Sequence, residues 1–248
     1  MMQFLKLAVS LLVSCVLWSG NSSAQPAPLY PYINVESVIK RQYQQKYAYI
    51  SWLDRARVHT RGQFPFYQLV GAYSRGPDYD PYAQETIKKL IDLAFIVEQA
   101  EDVDEKDRSL MEFQVLLESH MGNYDVVNAA ISLVRQNEEL GDIEFLKWLK
   151  QGLGERALRS GKGHDIYSAY TIYTPGEEDL IIMRWQADII DTETISDGRQ
   201  FYHIHYYEDR QTGRPGKIYI NFAPIMERVI LNRQLEDPYY VYEPQPFE

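Results

Sequence analysis

Arg199-Gln-Phe-Tyr-His-Ile-His-Tyr-Tyr207 is the stretch on which the reading of the fold turns. A half-buried strand shows a side-chain period of two. Here that alternation puts Phe201, His203, His205 and Tyr207 on one half-wet face, and Tyr202, Ile204 and Tyr206 on the other. Ile195-Ser-Asp-Gly198 precedes it as a turn, and Gln211-Thr-Gly-Arg-Pro-Gly216 follows as a loop. Leu180 to Ile190 reads as a long strand before it, and Lys217-Ile-Tyr-Ile-Asn-Phe222 as a third strand after it. Three such strands make an antiparallel meander. Ile225 to Leu231 reads as a closing helix packed on Ile218, Ile220 and Phe222, and the tail from Asp237 to Glu248 is proline-broken and extended.

Upstream of about Tyr170 the period is helical. Val35, Val38, Ile39, Gln42 and Tyr43 fall at that spacing, and Tyr49, Leu53 and Ala56 continue a second short segment. Gly62 to Pro65 is a break. Phe66 to Tyr73 is an apolar run too short to assign by periodicity. Asp80 then suits an N-cap and Pro81 a first helical position, before a stripe of Ile87, Leu90, Ile91, Ala94 and Phe95. The next helix carries Leu110, Phe113, Leu117 and Met121, with Ser109-x-x-Glu112 as its capping box. After Gly122-Asn123, Val127, Ala130, Ile131 and Val134 mark a third helix. Gly141-Asp142 opens a fourth, with Leu146, Leu149, Leu153 and Ala157 on one face and an end near Gly161. Short links between amphipathic helices predict antiparallel hairpins.

The expected fold is therefore α+β: an N-terminal irregular helical bundle, then a small C-terminal antiparallel β-meander with a closing helix. The expected divisions are a signal peptide over 1–24, a helical part over 25–162, and a β part with a Pro/Tyr-rich tail over 163–248.

Residues 1–24 carry the three parts of a secretory signal. These are Lys6, an apolar run from Leu7 to Trp18, and small residues at Ser22-Ser-Ala24. The expected location is exported, either periplasmic or secreted. Cleavage would remove the sole cysteine, Cys15, so the mature chain would have no disulfide, cysteine nucleophile or thiolate metal site. Leu12-Val-Ser-Cys15 also resembles a lipobox, and an outer-membrane lipoprotein anchored through Cys15 is the alternative. The apolar residues after Cys15 argue against it. No later segment is apolar enough to span a membrane. The formal charge of −10 opposes a phosphate backbone, so nucleic acid is not an expected partner.

His203-x-His205 is the sharpest chemical signal. Residues two apart on a strand share a face, so both imidazoles can reach one divalent metal, with Glu208 or Asp209 as a neighbouring carboxylate. The order of Gly198, the two histidines and Glu208 resembles the cupin metal motif, but the spacings differ and no histidine follows His205. His59, His120 and His164 all lie upstream. The structural alternative is two histidines on a half-wet strand face.

Other patterns are weaker. His164-Asp165 reads as a solvated loop sooner than as a base with its orienter. Gly154 to Gly163 lacks phosphate-loop spacing, and Gly71 to Gly76 lacks that of a nucleophile elbow. The acidic run from Glu98 to Asp107 lacks the glycine and closing glutamate of an EF-hand, and reads as a solvated helix junction.

Tyrosine is abundant, at 20 of 248 residues, which suits recognition surfaces. Tyr67, Tyr73, Tyr79 and Tyr82 are candidates for lining a groove, as are Tyr239, Tyr240 and Tyr242.

The segment Phe64 to Tyr82, containing Tyr73-Ser-Arg-Gly-Pro-Asp-Tyr-Asp-Pro81, and the punctuation Asp197-Gly198, Thr212-Gly213 and Ile218-Tyr-Ile-Asn-Phe222 together resemble an uncharacterised bacterial family of exported proteins, a domain of unknown function. That resemblance implies a fold and an envelope location and transfers no catalytic residue. Locally, His120 to Ala130 resembles the helix junction of a tetratricopeptide repeat, without the 34-residue recurrence.

The leading functional expectation is a non-enzymatic envelope protein that binds a protein partner through the helical groove or the Tyr-rich surface, with no cofactor. One alternative is a metal-dependent hydrolase or lyase centred on His203 and His205. Another is a carbohydrate-binding module using exposed Tyr and Trp52, Trp148 or Trp185.

Overall fold

A computed structural model describes residues 33–58, 64–196, 200–237 and 240. The signal segment, Cys15, a proline-rich stretch over 25–31, His59, the Asp197-Gly198 turn, Tyr239 and Tyr242 lie outside the described residues.

The helical half contains α1 (Val35–Val58), α2 (Phe66–Ser74), α3 (Gln84–Gln99), α4 (Val103–His120), α5 (Tyr124–Gln136) and α6 (Ile143–Leu158). The β half contains β1 (Tyr170–Thr171), α7 (Pro175–Trp185), β2 (Ala187–Ser196), β3 (Phe201–Asp209), β4 (Pro215–Asn221) and α8 (Ala223–Glu236). The expected α+β order of helices, then meander, then closing helix is what the chain adopts. Among the described residues no helix is long and apolar enough to cross a membrane.

Several local readings are corrected. The two N-terminal segments are one continuous helix, α1, burying Gln42, Tyr49, Leu53 and Ala56. α3 starts after Ala83, which sits at φ 51°, and not at Asp80-Pro81. A left-handed residue cannot continue a helix from Pro81. The Asp80 carboxylate instead accepts from the Tyr82 N–H at 3.1 Å, closing a turn. α3 buries Leu90, Leu93, Ala94 and Val97, while Ile91 and Phe95 of the expected stripe are exposed. α4 is capped by Asp102, whose side chain accepts from the Asp104 N–H at 3.0 Å. The helix thus begins inside the acidic run, two turns before the expected box. Ser109 is buried in its interior and Glu112 pairs with Lys89 at 2.6 Å.

The α4–α5 junction is built by Asn123. Its side chain accepts from the N–H groups of Asp125 (2.8 Å) and Val126 (3.1 Å) and donates to the Asp80 carbonyl at 2.8 Å. Gly122 beside it has no room for a side chain, since an added Cβ would lie 2.5 Å from the Tyr73 ring. Asn123 is fully buried, so Asn123→Ala should remove the cap and orphan the groups it serves. The expected cost is about 2 kcal/mol, read as a lower urea midpoint at unchanged slope.

The largest correction concerns Leu180 to Ile190. The first part is helix α7, and the strand begins only at Ala187. Pro175 occupies the first helical turn, Glu177 and Glu178 follow in it, and Gln186 at φ 51° ends the helix. A short apolar run does not by itself separate helix from strand.

The sheet order is β1-β4-β3-β2, with β1 parallel to β4 and the other pairs antiparallel. His203 stands opposite Thr194 and Ile220, and His205 opposite Thr192 and Ile218. One apolar core runs through α1 to α6, and a second lies between the sheet, α7 and α8. Polar contacts tie the two. The Tyr79 hydroxyl donates to the Tyr173 carbonyl at 2.7 Å, and Arg228 donates to the carbonyls of Gly76 (3.2 Å) and Pro77 (2.6 Å). Arg156 of α6 forms a buried ion pair with Glu177 of α7.

Candidate metal centre

Strand alternation places His203 and His205 on one face of β3, as expected. The first turn of α7 supplies the third member. The Glu178 Oε1 atom lies 2.7 Å from His203 Nδ1 and 2.7 Å from His205 Nε2. One ligand atom from each of Glu178, His203 and His205 falls within 4.8 Å of the other two.

The surroundings orient these groups. His205 is 7% exposed at its side chain, Glu178 15% and His203 27%, so the site is closed beneath His205 and opens beside His203. The Thr192 hydroxyl sits 2.9 Å from His205 Nδ1, opposite the nitrogen that faces Glu178. The Phe222 ring lies 4.1 Å from the His203 ring at an interplanar angle of 32° and limits its rotation. Burial alone would raise the Glu178 carboxyl above its ordinary value of 4.5. Hydrogen bonds and charge from His203 and His205 outweigh burial and hold it at about 2.

This donor set fits a divalent transition metal. Two imidazoles and a carboxylate are ligands of zinc and of non-haem iron sites, where the remaining positions stay open. A hydrogen bond to the far nitrogen of a ligating imidazole fixes its tautomer, and Thr192 is placed to do that for His205.

The carboxylate expected from Glu208 or Asp209 does not come from either. Alternation puts Glu208 on the opposite face of β3 from the histidines. The Asp209 carboxylate closes its own turn, accepting from the N–H groups of Gln211 (2.9 Å) and Thr212 (2.7 Å). The signal that could have found Glu178 was Thr174-Pro175-Gly-Glu-Glu178, a helix start hidden by the strand-like run after it.

The described upstream histidines, His120 and His164, are elsewhere. His120 Nδ1 is 2.9 Å from the Leu116 carbonyl on its own helix, and His164 packs edge-on to Trp185. Asp165 caps a short turn, its Oδ1 accepting from the N–H groups of Tyr167 (3.0 Å) and Ser168 (2.8 Å).

The four candidate tyrosines do not share a surface. Tyr73 and Tyr79 are core residues, each 2% exposed, with ring centroids 5.4 Å apart. Tyr67 and Tyr82 are exposed. Burial pushes the Tyr73 and Tyr79 hydroxyls up. Comparison of the chain with protein-family models, with curated proteins and with solved structures finds no match in any of the three.

Proposed function

We propose that the protein holds one divalent transition metal at Glu178, His203 and His205 and acts as a metal-dependent hydrolase or lyase. What supports this is the meeting of three ligand atoms within 4.8 Å from two separate elements, with the open side at His203. A metal with such ligands supplies a Lewis acid and an activated water when bound. The residues do the rest: Thr192 holds the His205 ring, Phe222 limits the His203 ring, and the depressed carboxyl keeps Glu178 ionised. The setting of this chemistry is the cell envelope, as the signal-like segment over 1–24 suggests.

The test is elemental analysis of the untagged protein, then calorimetric titration of chelated protein with Zn²⁺, Fe²⁺ and Mn²⁺. Near-stoichiometric metal is expected. His205→Ala and Glu178→Gln should each weaken binding by about 100-fold or more at unchanged circular dichroism. Chelated wild-type protein that takes up none of the three ions would overturn the proposal. The loaded protein is then screened on nitrophenyl esters and phosphates with and without chelator.

A second reading is protein binding, and α1 favours it. Ile39, Tyr43, Tyr47 and Ile50 form an exposed stripe along one side of that helix, an unusual place for four large apolar residues.

A further inference from the structure

A groove of about 930 Å³ lies between the start of α2 and one face of α6, distinct from the metal centre. That is the size of a small-ligand cleft. Its floor is an aromatic cluster. Trp148 meets Phe66 at 5.0 Å and Phe64 at 5.7 Å between ring centroids, and Phe64 meets Phe66 at 4.9 Å. Gly152 makes this possible. A Cβ there would lie 1.9 Å from Phe66 Cζ, so the missing side chain is the notch that admits the ring. Tyr67, 66% exposed, stands at the rim.

The polar side is a row on α6. Gln151, Glu155 and Arg159 stand one turn apart. The Gln151 amide donates to Glu155 at 3.0 Å and Arg159 pairs with Glu155 at 3.2 Å, so the three planar groups hold one another in place. Deeper in, Arg156 is 9% exposed at its side chain. It pairs with the fully buried Glu177 and lies 4.8 Å over the Tyr173 ring, yet its Nε–H has no hydrogen-bond partner among the described residues. That nitrogen is closed off from the groove, while Nη1 donates to the Thr171 carbonyl at 3.4 Å, so the guanidinium is fixed as part of the groove wall.

Charge selects the ligand class. Both guanidiniums lining the groove are neutralised by carboxylates, Arg156 by Glu177 and Arg159 by Glu155, so an ionic ligand gains little here. A ligand that offers a flat C–H face to aromatics and neutral oxygens to planar amide, carboxylate and guanidinium groups matches both walls. That is a pyranose ring. We propose that this groove binds a neutral oligosaccharide, its sugar face against Trp148 and Tyr67 and its hydroxyls toward Gln151, Glu155 and Arg159. This proposal is independent of the metal reading.

The test is calorimetry and tryptophan fluorescence of the full chain. The probes are cellotriose, maltotriose and triacetylchitotriose, with trigalacturonate as the acidic arm and an unstructured aromatic peptide as the protein arm. Binding of at least one neutral trisaccharide at sub-millimolar Kd is expected. Exposed Tyr67→Ala and Gln151→Ala should each weaken it by about tenfold, with the fold unchanged by circular dichroism. His203→Ala should leave it unaltered. No response to any neutral trisaccharide at millimolar concentration, binding confined to trigalacturonate or to the peptide, or equal affinity in the Tyr67 and Gln151 variants would each overturn it.

Discussion

Arg156→Met should destabilise the protein by about 3–5 kcal/mol, the usual penalty for stranding one member of a buried ion pair. Glu177 is fully buried, and removal of the guanidinium leaves its carboxylate, among the described residues, with the Tyr173 N–H at 2.8 Å as its remaining hydrogen-bond donor. The expected reading is a fall in Tm of roughly 10 °C for a chain of this size. The pair joins α6 to α7, so the loss should also loosen the seating of the helix that delivers Glu178. The double variant Arg156→Met/Glu177→Leu separates charge from packing. Removing both charges leaves neither member of the pair buried without its partner, so most of the lost stability should return. A single variant as stable as the wild type would show that Glu177 has another route to compensation.

The second large effect is an acid limb due to Glu178. Its carboxyl titrates at about 2 in the fold, against an ordinary value of 4.5, so folding favours the ionised form. The difference corresponds to about 3 kcal/mol. A depressed carboxyl contributes fully above its unfolded value and loses the contribution as pH falls toward its folded value. Metal-free protein, kept so with chelator, should therefore lose stability progressively between about pH 5 and about pH 2. Urea midpoints over that interval measure it. Glu178→Gln should flatten this limb and lower stability at neutral pH, where the wild-type carboxylate is paired with two imidazoles. Parallel curves for the two proteins would assign the acid loss to other groups.

How much of this was legible in the chain differs by element. The α5 and α6 helices were readable because their caps and stripes agree. Asn123 and Asp142 stand where the apolar period begins, and Val127, Ala130, Ile131, Leu146, Leu149 and Leu153 are all buried. α3 misled because two registers of its apolar residues are possible. Packing chose Leu93 and Val97 over Ile91 and Phe95. α7 misled because Leu180-Ile-Ile-Met satisfies either a helix or a strand, and only the neighbours of Ile181 select between them. The tyrosines misled for a related reason. A tyrosine suits a core when its hydroxyl finds a partner, as Tyr79 does at the Tyr173 carbonyl, and that partner is 94 residues away in the chain.

The candidate site divides along the same line. That His203 and His205 share a face follows from the sequence alone, because strand geometry repeats every two residues whatever surrounds it. So does the α+β order, since the helical period upstream of about Tyr170 and the strand period over β3 and β4 each run long enough to be read. Which carboxylate meets the histidines was decided by tertiary structure. Glu208 is near in sequence and faces away, whereas Glu178 lies 25 residues before His203 and faces it. Local periodicity determines the direction of a side chain relative to its own backbone. What stands opposite depends on how α7 packs over the sheet, and that is set by distant contacts such as Arg156 with Glu177.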